Sequence, residues 1–90
     1  MSFINVGFGN IVNSDMIVAV VSPDSAPSKR LLQNCKEEKR IIDATQGRRT
    51  KSLIVTTTGN LVLSALIPDT IAARARNNDN NQQENENVKR

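Results

Sequence analysis

The chain has 90 residues, a formal net charge of +3, a single cysteine and no histidine. A lone thiol excludes an internal disulfide, and without histidine the chain offers neither histidine catalysis nor a zinc or haem ligand set. No stretch reaches membrane-spanning length and no basic region precedes an apolar run at the N-terminus, so we expect a cytoplasmic protein without metal or cofactor.

The first predicted element is a strand that begins at Phe3, because large apolar residues alternate there with small or polar ones. The alternation places Ile4, Val6 and Phe8 on one face, which suits a half-buried strand. The glycines on either side of Phe8 fit a bulge or a close backbone approach. They do not fit a dinucleotide-binding loop, which needs a third glycine and a following helix.

A second strand is predicted after the turn at residues 13–15. The run Met16–Val21 is continuously apolar, contains β-branched residues and is followed by Pro23. A run of this kind is typical of a strand that is covered on both faces.

A helix is predicted from the Ser22–Pro27 segment to about Arg40. Asp24 or Ser25 can accept hydrogen bonds from the free amides of the first turn. Pro27 falls in that turn, where a missing N–H costs no intrahelical bond.

The predicted helix has a narrow apolar stripe made by Leu31, Leu32 and Cys35, so we interpret Cys35 as a small core residue and not as a reactive thiol. Three cations share one flank of the stripe: Lys29, Lys36 and Arg40. The acidic residues of the helix lie away from that flank. The flank is therefore either an ordinary solvated face or an auxiliary binding surface.

The middle of the chain is basic, since residues 28–51 hold eight Lys or Arg against three Asp or Glu, a net charge of +5. The polar stretch Asp43–Lys51 lies between two apolar runs and predicts a hairpin in which Gly47 allows the chain to reverse. Arg48 and Arg49 would project from its mouth, and a guanidinium pair favours bidentate binding of phosphate or carboxylate. The alternative is a solvated turn.

A second hairpin is predicted farther along, where residues 52–57 and 61–67 flank a Thr58-Gly59-Asn60 turn. Gly-Asn suits a tight turn with positive φ angles. A short helix then begins at Pro68, because a proline is compatible with a first helical turn.

Together these elements predict an α+β fold with a small, mostly antiparallel sheet of four to five strands, one main helix and a short C-terminal helix. Residues 1–76 would form the domain. Residues 77–90, rich in Asn, Gln and Glu, are predicted to be a disordered polar tail. A domain of this size without tryptophan or tyrosine has a thin core, which favours association between subunits.

An enzyme is not expected. The chain lacks the Ser-x-x-Lys, Gly-x-Ser-x-Gly and P-loop patterns, and its acidic residues show no spacing typical of a carboxylate pair or a metal cage. We expect Asp43 to orient an arginine or to cap the basic turn. Because no aromatic residue lies near the arginines in the sequence, binding to a duplex backbone is favoured over stacking on unpaired bases.

Several motifs, taken in order, resemble the RemA family of bacterial extracellular-matrix regulators. They are Ile4–Asn10, Val21–Pro27 with Lys29-Arg30, Asp43–Thr45 with Gly47–Thr50, and Leu63–Ala65 before Pro68–Thr70. The resemblance runs from about Phe3 to Arg74, so it covers nearly all of the predicted domain.

The resemblance implies a DNA-binding regulator of matrix and biofilm genes with a fold similar to LytTR-type domains. It also implies closed homo-oligomeric rings of about seven or eight subunits, with duplex DNA wrapped on a basic outer surface in a nucleoid-associated complex. Arg48 and Arg49 match the main DNA contacts, and Pro27 belongs to a loop and helix start. We expect four further cations to assist: Lys51, Lys29, Arg30 and Arg40.

Two positions depart from the family pattern. Met16 stands where the family usually has an arginine, which removes an implied phosphate contact, and Gln46 stands where an aromatic or histidine is common. Two other functions stay open. One is a structural or adaptor oligomer whose arginines pair with acidic side chains between subunits, and the other is RNA binding.

Overall fold

A computed structural model describes residues 2–84, with side chains described as far as residue 77. Within that part of the chain there are six strands, a single 3-10 turn and two α-helices. In chain order they are β1 (Phe3–Asn5), β2 (Ile11–Asn13), the 3-10 turn (Ser14–Met16), β3 (Ile17–Val21), α1 (Ala26–Glu37), β4 (Ile41–Asp43), β5 (Ser52–Thr56), β6 (Leu61–Ser64) and α2 (Pro68–Glu84).

The central sheet has four strands in the order β3-β5-β6-β4. Strand β5 is antiparallel to β3 and β6, and β4 runs parallel to β6. Strands β5 and β6 form the hairpin predicted from the Gly59-Asn60 turn, in which Gly59 has a φ of 85° and the Thr56 amide donates to the Asn60 carbonyl at 3.2 Å. The predicted α+β class and the mostly antiparallel sheet are confirmed.

One face of the sheet receives helix α1. Alternate positions of β5 and β6 supply Leu53, Leu61 and Leu63, which are buried together with Cys35 of the helix. Each fully buried leucine contributes about 1.5–3 kcal/mol through loss of contact with water. Cys35 is only 2% exposed, which confirms its interpretation as a core residue.

The other face receives the β1–β2 hairpin and helix α2. Ile54 and Val62, from the intervening positions of β5 and β6, are buried there against Ile4 and Val6 of the hairpin and Ile71 of α2. The molecule therefore has three layers, with β5 and β6 buried in the middle layer.

The predicted hairpin between β4 and β5 is wrong. Strand β6 lies between them, and β4 forms a free edge of the sheet. Residues 44–51 consequently make a crossover past the end of β6 and not a hairpin turn. Every residue of β6 is buried, and a strand buried on both faces is most stable in the centre of a sheet, so β4 pairs with β6 and not with β5, its neighbour in the sequence.

The predicted first strand is shorter than expected. Gly7, Phe8 and Gly9 have φ angles of 115°, 57° and 78°, so they reverse the chain instead of forming a bulge. Strand β2 follows, which the sequence did not predict, and it pairs antiparallel with β1. Because the reversal breaks the alternation after Val6, Phe8 is 52% exposed and is not on the buried face where it was expected.

Strand β3 was expected to be covered on both faces, and this is also wrong. It lies at the edge opposite β4, and Val18 in its centre is 62% exposed. Met16 belongs to the 3-10 turn before the strand. A continuous apolar run indicated burial here, but a strand with a neighbour on one side only keeps part of that surface in contact with solvent.

Helix α1 begins as predicted. The Ser25 hydroxyl accepts the Ser28 amide at 3.1 Å, and Pro27 lies in the first turn. The helix ends at Glu37, before Arg40, because Lys39 adopts a φ of 59° and the Arg40 amide donates to the Cys35 carbonyl at 2.9 Å. This bond gives the Cys35 carbonyl a donor that the helix itself no longer supplies at its C-terminal end.

Helix α2 begins at Pro68 as predicted, but it is not short, since it continues to Glu84 and passes the expected domain boundary at Arg76. Its last residues include Gln and Glu, whose helix propensity is close to the highest among polar residues. Residues 85–90 lie outside the described residues, so the predicted disorder there stays a prediction.

Candidate nucleic-acid interface

The basic segment, residues 44–51, is fastened to the end of β6 at both of its ends. The Ala44 amide donates to the Leu63 carbonyl at 2.9 Å, and the Lys51 amide donates to the Ser64 carbonyl at 2.8 Å. Ala44 is buried, as is the following Thr45. The segment therefore starts and ends on the most buried strand of the sheet.

The turn within this segment is ordered by Asp43. Its Oδ1 atom accepts hydrogen bonds from the Thr45 hydroxyl at 2.7 Å and from the Thr45 amide at 2.9 Å. These two bonds, the hydroxyl bond first, lower the pKa of the Asp43 carboxyl, because they stabilise its charged form. Asp43 thus caps the turn, which is one of the two roles expected for it.

The chain then reverses over four residues. The Arg48 amide donates to the Thr45 carbonyl at 2.9 Å, and the two residues between them, Gln46 and Gly47, have φ angles of 55° and 78°. Positive φ at both central positions is the geometry of a type I′ turn, for which glycine is favoured. Gly47 therefore permits the reversal, while Gln46 adopts the same region at some cost in strain.

An open groove of about 640 Å³ lies beside this turn. It brings Arg48, Arg49 and Lys51 together, as the sequence predicted, and adds Arg74 of helix α2. The remaining lining residues are uncharged: Asn5, Gly7, Phe8, Ala65 and Leu66. No acidic residue is among the described residues that line the groove, so the charge of the four cations is not neutralised within it, and a surface of this kind attracts anions.

Arg74 was missed by the sequence analysis. Its Nη1 atom donates to the Asn5 carbonyl at 2.9 Å, so the α2 side chain is anchored on strand β1. Residues 5 and 74 are far apart in the chain, and only the packing of α2 against β1 joins them. No local sequence signal indicates this contact.

Phe8 was also missed as a groove residue. The Arg48 guanidinium carbon lies 6.0 Å from the centre of its ring, within range of a cation–π interaction. The expectation that no aromatic residue lies near the arginines is therefore wrong in three dimensions. The β1–β2 turn carries Phe8 to the basic segment, although forty residues separate the two in the chain.

The wall beneath the groove is hydrogen-bonded. Ser52 and Ser64 face each other across β5 and β6, and neither is exposed to solvent. The Ser64 hydroxyl donates to the Val6 carbonyl at 2.7 Å, and the Ser52 hydroxyl donates to the Leu66 carbonyl at 2.5 Å. These bonds fix the end of the β5–β6 hairpin to the two chain segments that border the groove.

A smaller groove of about 290 Å³ continues on the far side of Arg49 and Lys51, where Ser22, Pro23 and Asp24 precede helix α1. The loop before α1 is thus next to the basic segment. This loop leads into the helix start to which, by the family resemblance, Pro27 belongs. Lys29 and Arg30 are exposed on the following helix, but neither is among the described residues that line the two grooves.

Arg40 is not brought to the groove. It lies by the β5–β6 turn at the other end of β6, where its guanidinium donates to the Gly59 carbonyl and forms an ion pair with Glu38, the Nε–Oε1 distance being 2.8 Å. The hydrogen bond that Arg40 donates to the Glu38 carboxylate raises the pKa of Arg40, because it stabilises the charged guanidinium. The expectation that the helix acids leave this flank unneutralised is wrong for Arg40.

A third groove, of about 280 Å³, is mainly apolar and lies beside the free edge of β4. Exposed Ile11, Met16 and Ile42 contribute to it. Met16 is 37% exposed, and its sulfur accepts a hydrogen bond from the Thr57 hydroxyl at 3.6 Å. Met16, the position at which the resemblance implies an arginine, is therefore not among the described residues that line the basic groove.

Neither helix, over its described residues, is long and apolar enough to cross a membrane. Within the same part of the chain, no group of three or more His, Cys, Asp or Glu side chains is arranged to hold a metal ion.

Comparison with known proteins gives consistent matches. The family described as RemA-like, extracellular matrix regulatory protein A-like, matches residues 3–75. A protein from Dictyoglomus turgidum is 52% identical over 83 residues, which cover 92% of this chain and 98% of its own. A protein from Alkaliphilus oremlandii is 49% identical over 83 residues, which cover 92% of this chain and 89% of that protein. A protein from Geobacillus thermodenitrificans is 44% identical over 84 residues, which cover 93% of this chain and 97% of that protein. All three relatives are named "Putative regulatory protein".

Proposed function

This chain belongs to the RemA-like family, and we propose that it is an oligomeric, non-enzymatic transcriptional regulator that binds duplex DNA. The observation that carries the proposal is the basic groove, in which Arg48, Arg49, Lys51 and Arg74 converge without an acidic neighbour among the lining residues. The family description names an extracellular matrix regulatory protein. We therefore propose genes of the extracellular matrix as targets, and biofilm genes among them.

The chemistry of the groove suits a phosphate backbone. Arginine binds phosphate through two parallel hydrogen bonds, and Arg48 and Arg49 are exposed on a turn that is held at both ends. Each neutralised phosphate releases a counterion, so binding should weaken steeply as salt is added. Lys51 supports the pair in the same groove, whereas Lys29 and Arg30 would contribute from the neighbouring helix.

Self-association is supported by exposed apolar residues at both edges of the sheet. Ile42 lies on edge strand β4 and is 51% exposed, and Val18 lies on edge strand β3 and is 62% exposed. Such surface is often covered by a partner. A homo-oligomeric ring of about seven or eight subunits would repeat the basic groove, so that modest attraction per subunit adds up along one duplex.

The test is a mobility-shift titration of Arg48→Ala/Arg49→Ala against the parent protein over a salt series. We expect the double variant to bind at least about tenfold more weakly and to show a shallower salt dependence, because fewer phosphates are neutralised per subunit. Lys36→Ala/Lys39→Ala removes the same charge from helix α1 and the residues that follow it, and serves as the control. Equal loss in both variants would show that only net charge matters.

The native mass of the double variant separates the alternatives. Loss of the oligomer, measured by light scattering, would place the arginines at a subunit interface and would favour a structural or adaptor protein. Competition between duplex RNA and duplex DNA addresses RNA binding, and stronger competition by RNA would contradict the proposal.

A further inference from the structure

Phe8 occupies an unfavourable position that the fold maintains. The side chain is about half exposed, and the backbone has a φ of 57°, in the left-handed region that bulky residues avoid. Burying the ring would remove the exposure, and a glycine at this position would remove both disadvantages. A half-exposed aromatic ring on a strained turn is typical of a residue that contacts a partner.

The loop around Phe8 is held in place by hydrogen bonds between its own residues. The Gly7 amide donates to the Asn5 side chain at 2.7 Å, and the Asn10 amide and side chain both donate to the Gly7 carbonyl, at 3.0 and 2.9 Å. The ring is therefore presented to solvent by an ordered turn, and little conformational freedom would be lost when it makes a contact.

The position of the ring links it to the cations. Phe8 lines the same groove as Arg48, Arg49 and Arg74, and its ring lies 6.0 Å from the Arg48 guanidinium. A flat guanidinium beside an aromatic face makes a combined surface that is cationic at one end and apolar at the other. Such a surface matches the minor groove of DNA, which offers phosphates at its rim and apolar sugar faces within.

We propose that Phe8 is a DNA-contacting residue that enters the minor groove together with Arg48 and acts as an apolar wedge at flexible base-pair steps. The inference rests on the proposed binding of duplex DNA and names a residue and a basis for sequence preference. Pyrimidine–purine steps unstack easily, whereas A-tracts are stiff, so a wedge favours the former without reading base edges.

A platform for unpaired bases is the competing use of the ring. Binding of single strands generally employs several aromatic residues on which successive bases stack. Phe8 is the only aromatic residue among the described residues that line the groove. A single ring beside an arginine therefore favours the wedge.

The experiment compares Phe8→Ala with Phe3→Ala. Phe3 is a matched control, because it has nearly the same exposure, 51% against 52%, and lies on the preceding strand but not among the described groove residues. Two duplexes of equal length are used, one with repeated TA steps and one with A-tracts. We expect Phe8→Ala to bind the TA duplex about tenfold more weakly with an unchanged salt slope, and Phe3→Ala to bind like the parent.

A second readout does not depend on truncation. The chain has no tryptophan and no tyrosine, so Phe8→Trp introduces a single fluorophore, and Phe3→Trp provides its control. We expect the TA duplex to quench the tryptophan emission at position 8 and to leave that at position 3 unchanged. Such quenching would support contact even if Phe8→Ala folded poorly.

The outcomes separate this inference from the proposed function. If the parent fails to bind either duplex, the proposed function fails. If the parent binds but Phe8→Ala keeps the affinity and the preference between duplexes, only the wedge is overturned. Stronger quenching by single-stranded than by duplex DNA would overturn the wedge in favour of a stacking platform.

Discussion

Asp43 shows how one carboxylate shapes the basic segment without touching its arginines. The carboxylate accepts both hydrogen bonds from Thr45, and the turn that presents Arg48 begins at the Thr45 carbonyl. The cap therefore fixes the start of the turn, and the turn fixes the backbone position of the arginines. The sequence indicated that Asp43 would either cap the basic turn or orient an arginine, and only the backbone geometry distinguishes the two roles.

We predict that Asp43→Ala lowers the melting temperature by a few degrees at neutral pH, because two hydrogen bonds to a charged acceptor are lost. The pKa of Asp43 is lowered in the folded state, so its contribution is present above the ordinary carboxyl pKa of about 3.9 and is lost as the pH falls through the lowered value. The difference between parent and variant should therefore shrink in acid.

Thermal unfolding followed by circular dichroism between neutral and acidic pH measures this difference. Asp43→Asn is the control, because an amide oxygen can still accept from Thr45 but does not titrate. A difference between parent and Asp43→Ala that stays constant with pH would show that the carboxylate charge plays no part in the cap.

Phe8 and Arg74 show why the candidate site was only partly predictable. Arg48, Arg49 and Lys51 are neighbours in the chain, so the sequence alone placed them together. Phe8 comes from a turn in which successive positive φ angles break the alternation used to assign its face. Arg74 joins only because α2 packs on β1. Both depend on contacts between distant segments.

Among the elements, those specified by local chemistry were predicted. Helix α1 begins at a serine cap with a proline in its first turn, and the β5–β6 hairpin follows a Gly-Asn turn. The pairing of β4 with β6 was not predicted, because parallel pairing depends on which strand is most apolar across the whole sheet. Strand β2 is only three residues long and has no clear alternation, so it gave no signal.

The start of helix α1 makes a prediction of its own. Ser25→Ala removes the acceptor for the Ser28 amide and should lower the free energy of unfolding by about 1 kcal/mol. Chemical denaturation followed by circular dichroism measures it. Ser25→Asp can accept the same bond and should restore stability, and an alanine variant as stable as the parent would mean that water replaces the cap without cost.

At the scale of the whole molecule, neither edge of the central sheet pairs with another strand among the residues that the structure describes. The order β3-β5-β6-β4 puts exposed apolar residues at each side, Val18 at one and Ile42 at the other. Exposed edges of this kind favour pairing with another chain. The ring implied by the family resemblance would cover both edges if each subunit used them in a head-to-tail manner.

We predict that Ile42→Glu dissociates the proposed oligomer, because a charge at the β4 edge would have to be buried in the contact. Light scattering should then give the mass of a smaller species, and DNA binding should weaken as the benefit of repeated grooves is lost. Asn34→Glu adds the same charge on helix α1 and should leave the mass unchanged. An intact oligomer of Ile42→Glu would exclude the β4 edge from the interface.

Ser52 and Ser64 give the wall of the groove a property that an all-apolar core lacks. Apolar side chains in a core can repack to fill space. A hydroxyl that donates to one particular carbonyl instead fixes the distance and the angle between the two groups. Since Ser64 holds the Val6 carbonyl, just before the Phe8 turn, and Ser52 holds the Leu66 carbonyl, hydrogen bonds fix the positions of the β1–β2 turn and of the segment after β6 relative to the end of the β5–β6 hairpin. If the groove binds duplex DNA as proposed, we expect the DNA and not this part of the protein to change shape on binding.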